Sequence, residues 1–211
     1  MRITDFSATK KGRIALFVDG EFYCSLHLDI FAATSLEVGT EVNALQLESL
    51  RERSEETVTR ERAIRLLSAR SYTVQGLYEK LLAYSDEDCA SAAVTRMIEL
   101  GLLDDEDYAR RYASDCLKLK GWSRKKTKQS LLQKGIDREL AEETLAAFAD
   151  EDDAGEEPAI AALVLKKYRS RLEDEQGVRK TIDALLRAGF RYDDIRRVLE
   201  NLAEDLEYYA G

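Results

Sequence analysis

The chain has very little of the chemistry on which enzymes and metal-binding proteins depend. Its 211 residues include one histidine and three cysteines, and only Cys24 and His27 among these lie close together in sequence. A structural zinc site takes four such ligands, and a catalytic nucleophile needs a base beside it. No phosphate loop ending in Gly-Lys-Ser/Thr and no Gly-x-Ser-x-Gly elbow occurs. We therefore expect no catalysis, no metal and no cofactor.

Long apolar runs and paired cysteines are lacking as well. The three cysteines are odd in number and far apart, which favours reduced, buried thiols. Asp5 and the two lysines that follow it interrupt any apolar stretch near the N-terminus, so a signal peptide is not predicted. No segment has the apolar length that a bilayer requires. The sequence thus predicts a cytoplasmic protein without a membrane partner.

Helix breakers are scarce after the first quarter of the chain. One proline and 11 glycines occur in all, while Ala, Leu, Glu, Arg and Lys dominate from about residue 45 onward. We therefore expect a mainly α fold, with helices from near Asn43 to the end. Before that, β-prone runs flank the tight-turn pair Asp19-Gly20 and a third run precedes them. These runs predict a small antiparallel β unit of three strands, followed by a short helix at about 30–34.

Internal similarity is the most informative feature of the helical region. The segment 131–145 aligns with 185–199 in its Leu-Leu pair, in the glycine four residues later (Gly135 and Gly189) and in the apolar positions of the next helix. A helix that ends at glycine and is followed by an amphipathic helix explains this pattern. Upstream, Leu81-Leu82 occupies the same place. Repeats of this size normally stack in tandem.

Each repeat is predicted to hold three helices, and the tandem three-helix bundles are expected to form an elongated, curved body. Thr73 (or Ser71), Ser123 and Asp137 are predicted helix N-caps, and Pro158 suits a first helical turn. The predicted domains are a β-rich extension (1–50), repeat 1 (51–104), repeat 2 (105–150), an acidic linker (151–157) and repeat 3 (158–211).

Charge is distributed unevenly along the chain. The formal net charge is −9, yet residues 118–138 carry eight basic side chains against one acid, Asp137. Because charges more than about 8–10 Å apart are largely screened in the cell, local fields govern binding. Basic residues in the first turn of a helix oppose its dipole, and a sequence selected only for folding would more easily place acids there. The basic segment therefore predicts a binding surface.

A second, weaker basic group lies in the last repeat, where aspartates dilute it. The alternative for the basic segment is a solvated, lysine-rich helix face, and the alternative for the second group is a salt-bridged surface. Trp122 has two interpretations, a packing aromatic equivalent to Tyr72 or a platform for base stacking. The candidate partner-binding residues are Lys118, Lys120, Arg124, Lys125, Lys126, Lys128, Lys134, Arg191, Arg196 and Arg197.

Three ordered motifs resemble those of the RecX family. The first is the pattern Arg62-Ala63-x-x-x-Leu66-Leu67-x-x-Arg70-Ser71-x-Thr73-x-x-x-Leu77-x-x-Lys80-Leu81. The second is Leu100-Gly101-Leu102-Leu103-Asp104-Asp105-x-x-Tyr108-Ala109, and the third is Lys120-Gly121 followed by Leu131-x-x-Lys134-Gly135-Ile136. Together they cover about residues 60 to 148, and the third repeat is in register with a looser match.

The resemblance implies a regulator, mostly an inhibitor, of the RecA recombinase in DNA repair, recombination and the SOS response. Such a protein binds in the groove of the RecA–DNA filament and modulates ATP hydrolysis, strand exchange and filament stability. It implies a RecA partner, at most weak contact with single- or double-stranded DNA, and a monomer. The alternative function is a helical nucleic-acid-binding module whose basic second repeat contacts phosphates.

Overall fold

The predicted N-terminal β unit is present. In the computed structural model, which describes residues 1–148, 155–172 and 174–210 (backbone only from 204), strands β1 (Ile3–Ala8), β2 (Ile14–Val18) and β3 (Glu21–Leu26) form an antiparallel sheet in that order. Asp19 and Gly20 both adopt positive φ angles, 49° and 89°, as a two-residue type I′ hairpin turn requires. The Asp-Gly signal is therefore confirmed.

The sheet buries one face against the first long helix. Ile3, Leu16 and Leu26 are fully buried in one cluster with Leu47 of the following helix. A three-stranded sheet is marginal without such a cover. Ser54 strengthens the contact, since its hydroxyl accepts the backbone N–H of His27 at 2.6 Å.

Helices make up the rest of the first unit, which spans Met1–Asp104. They are α1 (Leu28–Ala32), α2 (Ala44–Ala69), α3 (Val74–Leu82) and α4 (Glu87–Glu99). Asn43 begins α2 with a capping box that includes Gln46. The predicted boundary between residues 50 and 51 falls inside α2, so the predicted β-rich extension and repeat 1 share this helix.

The second unit, Asp105–Gly211, holds the other two repeats. Its helices are α5 (Asp105–Ser114) continuing as a π-helical segment (Asp115–Lys120), α6 (Arg124–Gln133), α7 (Arg138–Ala146), α8 (Glu157–Lys167), a 3-10 turn (Arg169–Arg171), α9 (Glu175–Arg187) and α10 (Tyr192–Ala210). Most of the predicted acidic linker, residues 151–154, lies outside the described residues. The mainly α fold with tandem three-helix units is confirmed, while the remaining domain limits stay predictions.

Equivalent positions confirm the internal repeat at the level of single side chains. Leu81, Leu131 and Leu185 are all fully buried in the middle helix of their repeats. Thr73 and Ser123 cap these helices, as predicted. In the third repeat the cap moves one turn upstream to Asp174, because the buried Gly177 packs against the backbone of the preceding 3-10 turn.

Candidate partner-binding surface

The basic segment of the sequence lies at the seam between repeats 2 and 3. It starts where the π-helical segment ends at Gly121, whose φ of 67° is left-handed. Buried Ser123 then caps α6 and joins the two repeats. Its N–H donates to the carbonyl of Ala188 (2.9 Å), and its hydroxyl donates to the carbonyl of Gly189 (2.9 Å). These bonds fix the first turn of α6 against the end of α9.

Two of the predicted binding residues, Arg124 and Lys126, donate side-chain hydrogen bonds to backbone carbonyls of the second unit. The Arg124 guanidinium donates to the Phe148 carbonyl just beyond α7 (3.1 Å), and the Lys126 ammonium donates to the Arg187 carbonyl at the end of α9. The C-terminal end of a helix is negative and favours cations. Lys126, which opposes the dipole of α6, thus complements the dipole of α9, and Arg124 binds a carbonyl of the turn after α7. Both cations therefore have a structural reason for their position.

Lys128 also has a partner within the unit. It pairs with Glu142 of α7, which Arg138 approaches as well (3.1 Å). The hydrogen bond from Lys128, followed by that from Arg138, lowers the pKa of the Glu142 carboxyl. Since these side chains are exposed, the pairs contribute little to stability.

Two lysine ammonium groups near the turn at Gly121 lie over an aromatic ring. The ammonium groups of Lys120 and Lys126 lie 4.7 Å and 4.4 Å from the centre of the Trp122 ring. Repeat 1 has the same arrangement, with the Arg70 guanidinium 4.4 Å from the Tyr72 ring. This equivalence favours the packing interpretation of Trp122 over the stacking platform.

The remaining predicted cations of repeat 2 differ in their surroundings. Lys125 and Lys118 are exposed, and the Lys118 ammonium lies 5.5 Å from the Phe148 ring. Lys134 is half-buried, with its ammonium 5.0 Å from the Tyr112 ring. Lys118 and Lys125 are consequently the residues of this set that present their charge to solvent.

The second basic group forms ion pairs with neighbouring acids. Arg191 lies 3.8 Å from Asp193, and Arg196 lies 2.7 Å from Glu200. Arg197 pairs with Asp194 of its own helix and with Glu157 of α8. This geometry favours the salt-bridged surface for these arginines.

A cavity of about 400 Å³ opens beside the seam and includes residues that the sequence did not single out. Lys166 and Lys167, from the last turn of α8, join Lys118 and Arg124 around it. In the sequence, these residues are recognisable only as two adjacent lysines at the end of a predicted helix. Lysines are common there because they complement the helix dipole, so the pair does not indicate a binding site.

Within the part of the chain that the structure describes, Glu156 is the carboxylate that lines this cavity. Its side chain accepts the backbone N–H of Arg124 at 2.7 Å and so caps the start of α6 from another repeat. Burial raises the pKa of the Glu156 carboxyl, and the hydrogen bond from Arg124 offsets part of that effect.

Clusters in the first unit have structural explanations. Glu55, Asp86 and Cys89 bring potential ligand atoms within 4.8 Å of one another. Asp86 caps α4, however, and burial followed by the hydrogen bond with Asp86 raises the pKa of the Cys89 thiol to about 12. His27 caps α1 through Nδ1 and contacts Glu61 through Nε2 at 3.1 Å.

Among the described residues, no helix combines the length and the apolar character needed to cross a membrane.

Two family models match the second unit. Residues 104–145 match the model described as RecX, second three-helix domain, and residues 156–199 match RecX, third three-helix domain. The matched segments contain α5, α6, α8 and α9 in full, α7 up to Leu145 and α10 up to Leu199, and so coincide with most of the last two repeats.

Curated relatives match nearly the whole chain. A protein of Clostridium botulinum (strain Eklund 17B / Type B) named Regulatory protein RecX is 29% identical over 212 residues, which cover 99% of each sequence. Relatives with the same name from Clostridium tetani and Bacillus licheniformis are each 27% identical. The matches cover 95% and 94% of this chain and 94% and 76% of the respective relatives.

Solved structures show the same fold. A crystal structure of a regulatory protein RecX superposes with a TM-score of 0.62 at 22% identity, covering 94% of this chain and 98% of the other. The crystal structure of RecX from Lactobacillus salivarius superposes with a TM-score of 0.58 at 25% identity, covering 72% of this chain and 98% of the other.

Proposed function

Because the chain belongs to the RecX family, we propose that it regulates the RecA recombinase by binding the RecA–DNA filament in the cytoplasm, and that it catalyses no reaction itself. The observation that carries the proposal is the succession of three-helix repeats over which relatives named Regulatory protein RecX match the chain from end to end. The expected outcome of binding is reduced ATP hydrolysis, reduced strand exchange and a less stable filament.

Tandem repeats suit a partner that is itself a repeating polymer. Linking several weak contacts in one chain makes each later contact intramolecular, and overall affinity rises without any single strong site. A filament offers successive identical subunits to successive repeats of the chain. This supports binding along the filament by a monomer.

We propose that Lys118 and Lys125 make direct contacts with the filament. Both are exposed on the second unit, while Arg124 and Lys126 donate to backbone carbonyls and Lys128 pairs with Glu142. Reversing Lys126 would disturb the seam between repeats 2 and 3 and confuse a loss of binding with a loss of structure. The informative change is therefore Lys118→Glu with Lys125→Glu.

Titration of the purified protein into a RecA–single-strand-DNA ATPase assay tests the function. Wild type is expected to inhibit hydrolysis, and the Lys118→Glu, Lys125→Glu double variant to need at least about tenfold more protein, as for a loss of about 1.4 kcal/mol of binding. Lys11→Glu, in the exposed turn between β1 and β2, is the matched charge control and should inhibit like wild type. A wild-type protein without effect on RecA would contradict the proposal.

The nucleic-acid-binding alternative is favoured by one observation, the exposed position of Lys125 in the first turn of α6. It predicts a different dependence on salt. Each phosphate contact on duplex DNA lowers log affinity by about 0.9 per unit of log salt concentration. Measuring the affinity for free DNA and for the filament over a range of salt concentrations separates the two, because the log affinity of lysine contacts with protein falls less steeply with log salt concentration than that of several phosphate contacts.

A further inference from the structure

The cavity beside the seam is built from both of the last two repeats. Leu117 and Trp122 come from repeat 2, while Leu163 and Phe190 come from repeat 3. Its volume of about 400 Å³ lies in the range of pockets that hold side chains or small ligands. The seam bonds of Ser123 hold the two repeats in place, so the cavity has defined walls.

The floor of the cavity is apolar. Trp122 and Leu163 are half-buried and Phe190 is 5% exposed, and prolyl and alanyl side chains of α8 continue the same surface. Leu163 packs directly on the Cα of Gly121, which fixes the floor at this point. An occupant that brings one apolar side chain would gain roughly 1.5–3 kcal/mol from burying it.

The rim of the cavity is cationic. Among the described residues, four basic side chains line it, Lys118, Arg124, Lys166 and Lys167, against the carboxylate of Glu156. Glu156 is occupied by the Arg124 backbone N–H, and the Lys167 ammonium reaches the Leu119 carbonyl at 3.3 Å. Among the lining residues that the structure describes, this is an excess of positive charge around an apolar floor.

We propose that this cavity docks an acidic peptide segment of a partner protein, with one apolar side chain on the floor and carboxylates on the rim. The proposal rests on the proposed function, because it specifies a contact through which a protein partner is held. Charge complementarity at the rim selects acidic partners, and the buried anchor at the centre supplies most of the affinity.

Nucleic acid fits the cavity less well. A phosphate backbone satisfies the rim but leaves the apolar floor uncovered. Bases stack on open aromatic faces, whereas the Trp122 ring already has the ammonium groups of Lys120 and Lys126 against it, and Phe190 is buried. The combination of floor and rim therefore favours a peptide.

Fluorescence of the full-length protein provides a direct test, because Trp122 is the single tryptophan of the chain and lines the cavity. The probes are a short synthetic peptide of aspartates around one phenylalanine, the same peptide with glycine in place of phenylalanine, and an oligothymidylate. The phenylalanine peptide is expected to change the Trp122 emission saturably. The glycine peptide is expected to bind about tenfold or more weakly.

Two variants locate the binding. Lys118→Glu with Lys166→Glu should weaken the phenylalanine peptide about tenfold or more, while Lys11→Glu should leave it unchanged. Ala162→Phe, at an exposed position of α8 on the cavity wall, should block the peptide by filling the floor while circular dichroism keeps the helix signal. Equal binding of both peptides, or a tighter response to oligothymidylate, would overturn the proposal.

The outcomes also separate this inference from the proposed function. The peptide measurement contains no RecA, so peptide binding by a protein that leaves RecA activity untouched would remove the function and keep the docking site. If the protein inhibited RecA but bound no peptide, and if the Ala162→Phe variant still inhibited RecA, the proposed function would stand and the docking site would be removed.

Discussion

Gly189 adopts a left-handed backbone (φ 96°) exactly where α9 meets the first turn of α6. A Cβ atom there would lie 2.6 Å from the Lys126 Cβ and 2.6 Å from the Ser123 hydroxyl. Glycine is thus required twice at this position, for its conformation and for the close approach. The repeat alignment identified Gly189 as a helix end, but its contact with a residue far away in sequence depends on tertiary packing.

We predict that Gly189→Ala destabilises the second unit by roughly 2–4 kcal/mol, from the left-handed strain and the overpacking together. Gly155→Ala is the matched control, because Gly155 has φ 66° and no atom of the described residues beyond its chain neighbours lies within 4 Å of a Cβ placed there. It should cost only about 1–2 kcal/mol. Urea unfolding followed by Trp122 fluorescence measures both, and equal losses would show that the seam tolerates a methyl group.

At the scale of the element, the start of α6 depends on two side chains from different parts of the chain. Ser123 caps the N–H of Lys126, as the sequence predicted, and Glu156 caps the N–H of Arg124. A serine just before a predicted helix is a local signal for an N-cap. Glu156 lies 32 residues after Arg124, and nothing local in the sequence indicates that it caps α6.

We predict that Glu156→Ala destabilises the second unit by about 1 kcal/mol, the usual cost of losing an N-cap. Glu156→Gln keeps an acceptor oxygen and is expected to be close to wild type at pH 4. Because burial raises the folded-state pKa of Glu156, the folded protein binds this proton more tightly than the unfolded chain. The wild-type contribution is therefore fully present below the unfolded pKa and is lost as pH rises through the folded pKa.

The stability of Glu156→Gln relative to wild type should accordingly increase between pH 4 and pH 7. Urea unfolding at the two pH values checks the sign. A relative stability that decreases with pH would mean that the hydrogen bond from Arg124 outweighs the effect of burial.

The elements predicted correctly are those with local signals. The Asp19-Gly20 turn, the caps Thr73 and Ser123 and the glycine-terminated helices each depend on a few neighbouring residues, and all are present. Helical structure from near Asn43 was predicted, but not that one helix, α2, continues across the predicted boundary at residue 50. The first half of α2 packs through Leu47 on the sheet, a contact that has no local signal. The π-helical segment before Gly121 has no local signal that periodicity detects.

The candidate site was likewise predicted only where its signal is local in sequence. The basic segment was found from composition, but the carbonyl partners of Arg124 and Lys126 lie 24 and 61 residues away. The unfavourable position of these cations at the start of α6 did not by itself indicate a binding surface. The backbone carbonyls that they bind come close only when α6 packs against the turn after α7 and the end of α9. Lys166 and Lys167 of the cavity rim have no local feature that separates them from an ordinary helix end.

At the scale of the whole molecule, the chain has two units, each with hydrophobic clusters of its own. Residues 105–211 contain one cluster around Leu131 and Ile136 and another around Ile160, Val164 and Leu185. The first is small, because two of its four buried members are alanines, Ala109 and Ala141. Repeat 2 therefore relies on the seam with repeat 3 for part of its stability.

We predict that a fragment of residues 105–211 folds on its own, with the helix signal and Trp122 emission of the full chain. A fragment of residues 105–148 is the matched control and should be mostly unfolded. It lacks the Ala188 and Gly189 carbonyls that Ser123 binds and the Glu156 cap of α6, and chains near 40 residues bury too little surface to fold without staples. Urea unfolding of both fragments by circular dichroism and Trp122 fluorescence distinguishes them. If the shorter fragment unfolded at the same urea concentration as the longer one, repeat 2 would be an independent bundle and the seam would contribute nothing to its stability.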